Sequence, residues 1–180
     1  MDRIDRLYVK NVLPYRDPCG HKGTFGKVLC ICGSVGYTGA PIFASRAAVR
    51  TGSGLVFLAV PESIWQVVAV RSDEAMPFPM SDVDGKLHGC FKAIAARAEG
   101  CDAVLYGCGL GRSDALDEMV RDVLTLPQPL VLDLVFCIRQ REATFTVSNP
   151  YTQFAATERT KHHTLVFRNL KRNKSAFKLM

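Results

Sequence analysis

Two glycine-rich segments are the parts of this 180-residue chain whose residue types and spacing could do chemistry. Gly33-Ser34-Val35-Gly36-Tyr37-Thr38-Gly39-Ala40 follows the apolar run Val28 to Cys32, and Gly107-Cys108-Gly109-Leu110-Gly111 follows Ala103 to Tyr106. Glycine lets a backbone turn sharply and come close to a ligand, and amides at the start of a helix attract anions. The first loop runs into a helical pattern, so the amides of residues 38 to 41 are expected at the positive end of a helix dipole, where an anion could dock. Each loop alone is equally well explained as a turn; two of them on one sheet edge favour a ligand site. The spacing excludes two phosphate devices. Glycines at 33, 36 and 39 do not make G-x-G-x-x-G, and Gly23-Thr24-Phe25-Gly26-Lys27-Val28 is not a Walker loop, because residue 21 is His and Val28 stands where Ser or Thr would bind magnesium. Lys22, next to His21, is a further candidate for a phosphate, with a solvated loop as the alternative. Asp133 is one for polar or magnesium contacts, with a capping role as the alternative.

These residues need elements to hold them. A continuous apolar run closed by glycine, such as Val28 to Cys32, is the pattern of a parallel strand buried on both faces. Ala40, Phe43, Ala44, Ala47 and Ala48 then recur at helical spacing, with Ser45, Arg46 and Arg50 pointing elsewhere. Thr38 is the expected N-cap, Pro41 sits in the first turn and Gly52 is the left-handed terminator. Gly54 to Val60 reads as the next strand, giving a β-α-β unit with a right-handed crossover. Further along we expect a helix over 62–70, a short strand near Met76, and a helix over 87–98 with Leu87, Phe91, Ile94 and Ala95 on one face. A strand over 103–106, a helix over 114–124 and a strand over 129–133 follow. Trp65 and Phe91 are assigned to the core. Such alternation predicts a doubly wound, mostly parallel α/β sheet. In such a sheet ligands lie beyond the carboxyl ends of the strands, the edge where both glycine loops and Asp133 fall.

With 48% hydrophobic and 22% charged residues the chain has ordinary globular usage. It contains no run of about 18 apolar residues and no apolar leader core, so a soluble cytoplasmic protein without membrane contact is expected. Seven cysteines form no C-x-x-C pair and are read as buried reduced thiols rather than metal ligands, and His162 and His163 are given no metal role. The net charge of +6 is uneven: residues 136–180 carry nine Lys or Arg against two acids, and the first 135 residues are close to neutral. Nucleic acid is therefore disfavoured as a partner of the domain. All 14 glycines lie between Gly20 and Gly111. We therefore divide the chain into a domain over 1–133 and a divergent basic tail over 134–180, for which a change of reading frame or an early stop after about residue 133 is favoured over a divergent continuation of the domain or a basic interaction tail.

The segments H-K-G-T-F-G-K-V-L-C-I-C-G-S-V-G-Y-T-G-A-P at 21–41 and A-A-V-R-T-G-S-G-L-V-F-L-A-V-P-E at 47–62 resemble the NAD(P)H-hydrate dehydratase family. Y-G-C-G-L-G at 106–111 is similar to its G-P-G-L-G loop, and P-L-V-L-D at 129–133 to the strand before its D-A-D motif. The resemblance implies a ribokinase-like fold, incomplete here. It also implies a lyase of metabolite repair that removes water from hydrated NADH or NADPH, with ADP or ATP and Mg2+ as cofactors; a homo-oligomer is left open by the sequence. Carried over by position, it puts the substrate on Gly36, Tyr37, Thr38, Gly39 and Ala40, with Gly109 and Gly111 beside it. Three departures follow. The second acid of D-A-D is Val135, the family's T-P-H has only a faint echo in Asn149-Pro150-Tyr151, and its G-x-G-D cannot occur without a glycine beyond 111. That motif supplies the family's expected catalytic base and nucleotide contacts, so the chain is expected to be catalytically impaired, with its own catalytic residues unassigned. Two alternatives stay open: a small-molecule kinase of the same fold, and a non-catalytic nucleotide-binding module with a basic tail.

Overall fold

The computed structural model describes residues 5–13, 15–133, 144–147, 153–155 and 166–169. A short helix α1 (Arg6–Val12) leads to strand β1 (Lys27–Cys32), helix α2 (Gly39–Arg50), strand β2 (Leu55–Pro61), helix α3 (Glu62–Arg71) and strand β3 (Met76–Met80). A small hairpin, β4 (Asp82–Val83) and β5 (Lys86–Leu87), precedes helix α4 (Phe91–Ala98), strand β6 (Ala103–Gly107), helix α5 (Asp114–Val123) and strand β7 (Leu130–Asp133). Strand β8 (Thr144–Val147) pairs with β10 (Val166–Asn169) in a separate two-stranded sheet, while β9 (Gln153–Ala155) extends the main sheet beside β7.

The main sheet has the order β3-β2-β1-β6-β7-β9, and every neighbouring pair in it is parallel. Alternation along β1 shows why it is doubly wound. Leu29 and Ile31 pack on one side with residues of α4 and α5, while Cys30 and Cys32 pack on the other with residues of α2 and α3. All four are fully buried, as the uninterrupted apolar run requires. The chain leaves β1 toward β2 and β3, then returns to place β6 on the other side of β1. This reversal is a topological switch point, where the connections leaving two adjacent strands diverge and open a crevice at their carboxyl ends.

Three expectations are corrected. The helix expected over 87–98 begins at Phe91, because Leu87 belongs to the hairpin: Asp84 (φ 50°) and Gly85 (φ 72°) both take left-handed backbone in the D-G turn. The buried stripe of α2 is Pro41, Ile42 and Ser45, whereas Phe43 is 75% exposed. Ser45 tolerates burial because its hydroxyl donates to the Ile42 carbonyl at 3.2 Å. Thr38 precedes α2 but makes no capping hydrogen bond through its side chain. Gly52, with φ 107°, does take the left-handed conformation after α2. Trp65 is half-buried on the α2–α3 side and donates from Nε1 to the Pro77 carbonyl at 3.2 Å. Among the described residues, no helix is long and apolar enough to cross a membrane.

Candidate functional site

The two glycine loops meet at the switch point. The Gly33 amide donates to the Cys108 carbonyl at 3.1 Å, and Ser34 Oγ, on a buried residue, donates to the Gly109 carbonyl at 2.7 Å. A β-carbon built on Gly109 would lie 2.7 Å from Ala40 Cβ and 3.0 Å from Tyr37 Cβ. Only a residue without a side chain lets the second loop close on the first this tightly, and its φ of 84° adds a second reason for glycine. Gly107, at φ 135°, lies against Asp133 at the end of β7, which places that carboxylate on the same edge.

Gly36, Tyr37, Thr38, Gly39, Ala40, Gly109, Gly111 and Asp133 therefore converge on one edge of the sheet. Lys22 does not join them. It precedes β1 and packs its carbonyl against Gly54 at the amino edge, beside a hollow of about 960 Å3 also lined by Arg16, Phe25, Arg50 and Gly52. The expectation that residues 38 to 41 offer free amides is also narrowed. Ala40 donates its N–H to the Tyr37 carbonyl at 3.2 Å, and proline at 41 has none.

Two thiols lie under the crevice. Cys32 is fully buried and its acidity is pushed well down, its pKa raised first by a hydrogen bond with Cys108 and then by desolvation. Cys108 is held below the ordinary thiol value by that same hydrogen bond, against opposing effects of burial and the Asp133 carboxylate. Its φ of 44° is a left-handed backbone that a proline could not adopt. The six described cysteines are all free thiols, and Cys30, Cys32, Cys90 and Cys101 are buried, with Cys19 exposed.

Sequence reasoning missed the hairpin and with it Lys86. The Val35 amide donates to the Gly85 carbonyl at 3.0 Å, tying the hairpin to the first glycine loop. A β-carbon on Gly111 would lie 3.4 Å from both Lys86 Cε and Ser34 Oγ. The signal was the Asp84-Gly85 dipeptide, a strong hairpin marker even between two-residue strands.

A parallel sheet with helices on both faces and paired backbone loops at its switch point defines a ribokinase-like α/β protein. The family model for NAD(P)H-hydrate dehydratase matches residues 28–145, and the chain belongs to that family. The bifunctional NAD(P)H-hydrate repair enzyme Nnr of Salinibacter ruber is 38% identical over 124 residues, 67% of this chain and 23% of that protein. The ATP-dependent (S)-NAD(P)H-hydrate dehydratase of Aedes aegypti is 30% identical over 128 residues, 69% of this chain and 37% of that protein. Among solved structures, the ADP/ATP-dependent NAD(P)H-hydrate dehydratase of Bacillus subtilis, co-crystallized with ATP/Mg2+, has a TM-score of 0.60 at 27% identity. It covers 78% of this chain, which in turn covers 50% of it. The chain thus matches between about a quarter and a half of the length of these relatives.

Proposed function

We propose that this chain supplies the substrate-gripping half of an ADP/ATP-dependent NAD(P)H-hydrate dehydratase, a lyase that removes water from hydrated NADH or NADPH in nicotinamide nucleotide repair. The observation that carries this reading is the closure of Gly109 onto Tyr37 and Ala40 at the switch point. Backbone amides at such a crevice can hold a pyrophosphate without a large side chain intervening. Gly36, Tyr37, Thr38, Gly39 and Ala40 form one wall, Gly109 and Gly111 the other, and Asp133 stands at the floor. The working partner is the hydrated dinucleotide, and the compartment is the cytoplasm.

The nucleotide and Mg2+ side is a different matter. Among the described residues no group of three or more His, Cys, Asp or Glu side chains could hold a metal ion. The chain also has no glycine beyond 111 from which a G-x-G-D turn could be made. The described residues do not fit that group. A general base must reach the proton it removes, and residues 1–133 offer no counterpart of that motif's aspartate. Residues 134–180 are a divergent basic tail in this reading, and the 180-residue chain binds substrate while turning it over poorly.

The test is direct. The purified chain is mixed with hydrated NADPH, Mg2+ and either ADP or ATP, and the return of NADPH absorbance is followed alongside a binding titration. Saturable binding with dehydration near the uncatalysed rate is expected. A rate equal to that of full-length relatives overturns the impairment, and absence of binding overturns the site.

A further inference from the structure

Amides and helix ends offer only partial charges, whereas a pyrophosphate carries full ones. The two loops themselves, 33–40 and 107–111, contain no Lys or Arg. A cation must come from elsewhere if the crevice is to neutralise its ligand. Two lie within reach along the chain: Arg112, next after the second loop and exposed, and Lys86, on the hairpin.

We propose that Lys86 is the phosphate-pairing residue of this site, delivered by the β4–β5 hairpin to the Gly111 loop, where its ammonium meets the pyrophosphate of the bound dinucleotide. This rests on the dehydratase reading above. Three observations support it. The stem of Lys86 runs along the loop backbone, with Cε 3.4 Å and Cδ 3.6 Å from where a β-carbon on Gly111 would sit. A side chain at 111 would compete for that path, and φ of 80° there already favours glycine.

The hairpin is fixed rather than floating. Leu87 is fully buried in the core beside α4 and α5, and Val35 N–H is bonded to Gly85 O. Asp82, across the hairpin, is also engaged, accepting from the Ser63 amide at 2.8 Å at the start of α3. Finally, no ion-pair partner of Lys86 is found among the described residues. A half-buried lysine with its stem held and no ion-pair partner among the described residues is suited to an anionic ligand.

The experiment titrates the 180-residue chain and its Lys86→Gln and Lys86→Arg variants with hydrated NADPH at low and high salt. Circular dichroism confirms that each variant is folded. K86Q is expected to bind about tenfold more weakly at low salt, with the gap shrinking as salt screens the pair, and K86R to bind within about threefold of the parent. Equal binding by K86Q, or a loss that is indifferent to salt, overturns the role of Lys86 while leaving the dinucleotide site standing. If the parent chain itself does not bind, the dehydratase reading falls and this inference with it.

Discussion

Gly109 and Ala40 belong to loops 69 residues apart in the chain, yet a β-carbon on Gly109 would lie 2.7 Å from that of Ala40. The loops therefore behave as one structural unit. Replacing Gly109 by Ala forces the contact apart and imposes a left-handed backbone on a residue with a side chain. A loss of about 2–4 kcal/mol is expected from the two effects together. Urea unfolding measures the stability loss, and titration with hydrated NADPH should show binding weakened at least tenfold. A G109A chain that keeps both properties would mean that the loops can separate without consequence.

Ser34 and Ser113 separate site architecture from plain stability. Ser34 Oγ donates to the Gly109 carbonyl and so latches one loop to the other, whereas Ser113 caps α5 by accepting from the Leu116 amide at 3.2 Å. Removing either hydroxyl costs about 1–2 kcal/mol by the usual worth of a buried hydrogen bond or helix cap. Both alanine variants should therefore melt earlier by similar amounts. Only Ser34→Ala should also weaken binding of the hydrated dinucleotide, because only it loosens the crevice. Equal affinity in the two variants contradicts a latching role for Ser34.

The parts of this fold that were legible in the sequence share a physical cause. The strands β1, β2, β6 and β7 are unbroken apolar runs because helices cover both faces, and each run ends in glycine, proline or aspartate. The hairpin escaped because two-residue strands have no periodicity, and Leu87 happens to fall in helical phase with Phe91 and Ile94. The α2 stripe was misplaced because an alanine-rich helix gives little contrast between faces. That allowed Phe43 to look buried and Ser45 exposed, the reverse of what is found. Lys22 looked close to the first glycine loop only along the chain. A six-residue strand carries the backbone about 20 Å, and β1 separates Lys22 from the loop by its full length. Lys86 went unnoticed for the converse reason, being distant in sequence and brought in by tertiary contacts.

The proposed impairment gives a gain-of-function prediction. If the lack of a G-x-G-D turn in these 180 residues limits turnover, as proposed, a chimera joining residues 1–133 to the C-terminal part of a full-length relative should show faster nucleotide-dependent dehydration than the 180-residue chain. In that chimera Lys86→Gln should raise KM for hydrated NADPH about tenfold with little change in kcat, since binding is what the lysine is assigned to support. A chimera that folds, binds substrate and still fails to turn over would place the defect within residues 1–133 instead.

Cys30 offers a pH test of the core beneath the site. It is completely buried between the sheet and the α2–α3 layer, and desolvation, reinforced by Cys108 and Cys101, pushes its thiol from 9.0 up to about 12. The folded state therefore holds this proton more tightly than the unfolded chain. The stabilisation is fully present below pH 9, declines as pH rises from there, and is gone above the folded value near 12. By pH 10.5 the loss for a fully buried thiol amounts to roughly 2 kcal/mol at about 1.4 kcal/mol per unit. Cys30→Ala lacks the thiol and so lacks this decline, but it leaves a small cavity costing on the order of 1 kcal/mol. At pH 7.5 the parent should be the more stable chain in urea unfolding. At pH 10.5 the difference should vanish or reverse, and a gap that stays constant between the two pH values would show that Cys30 is not held protonated by burial.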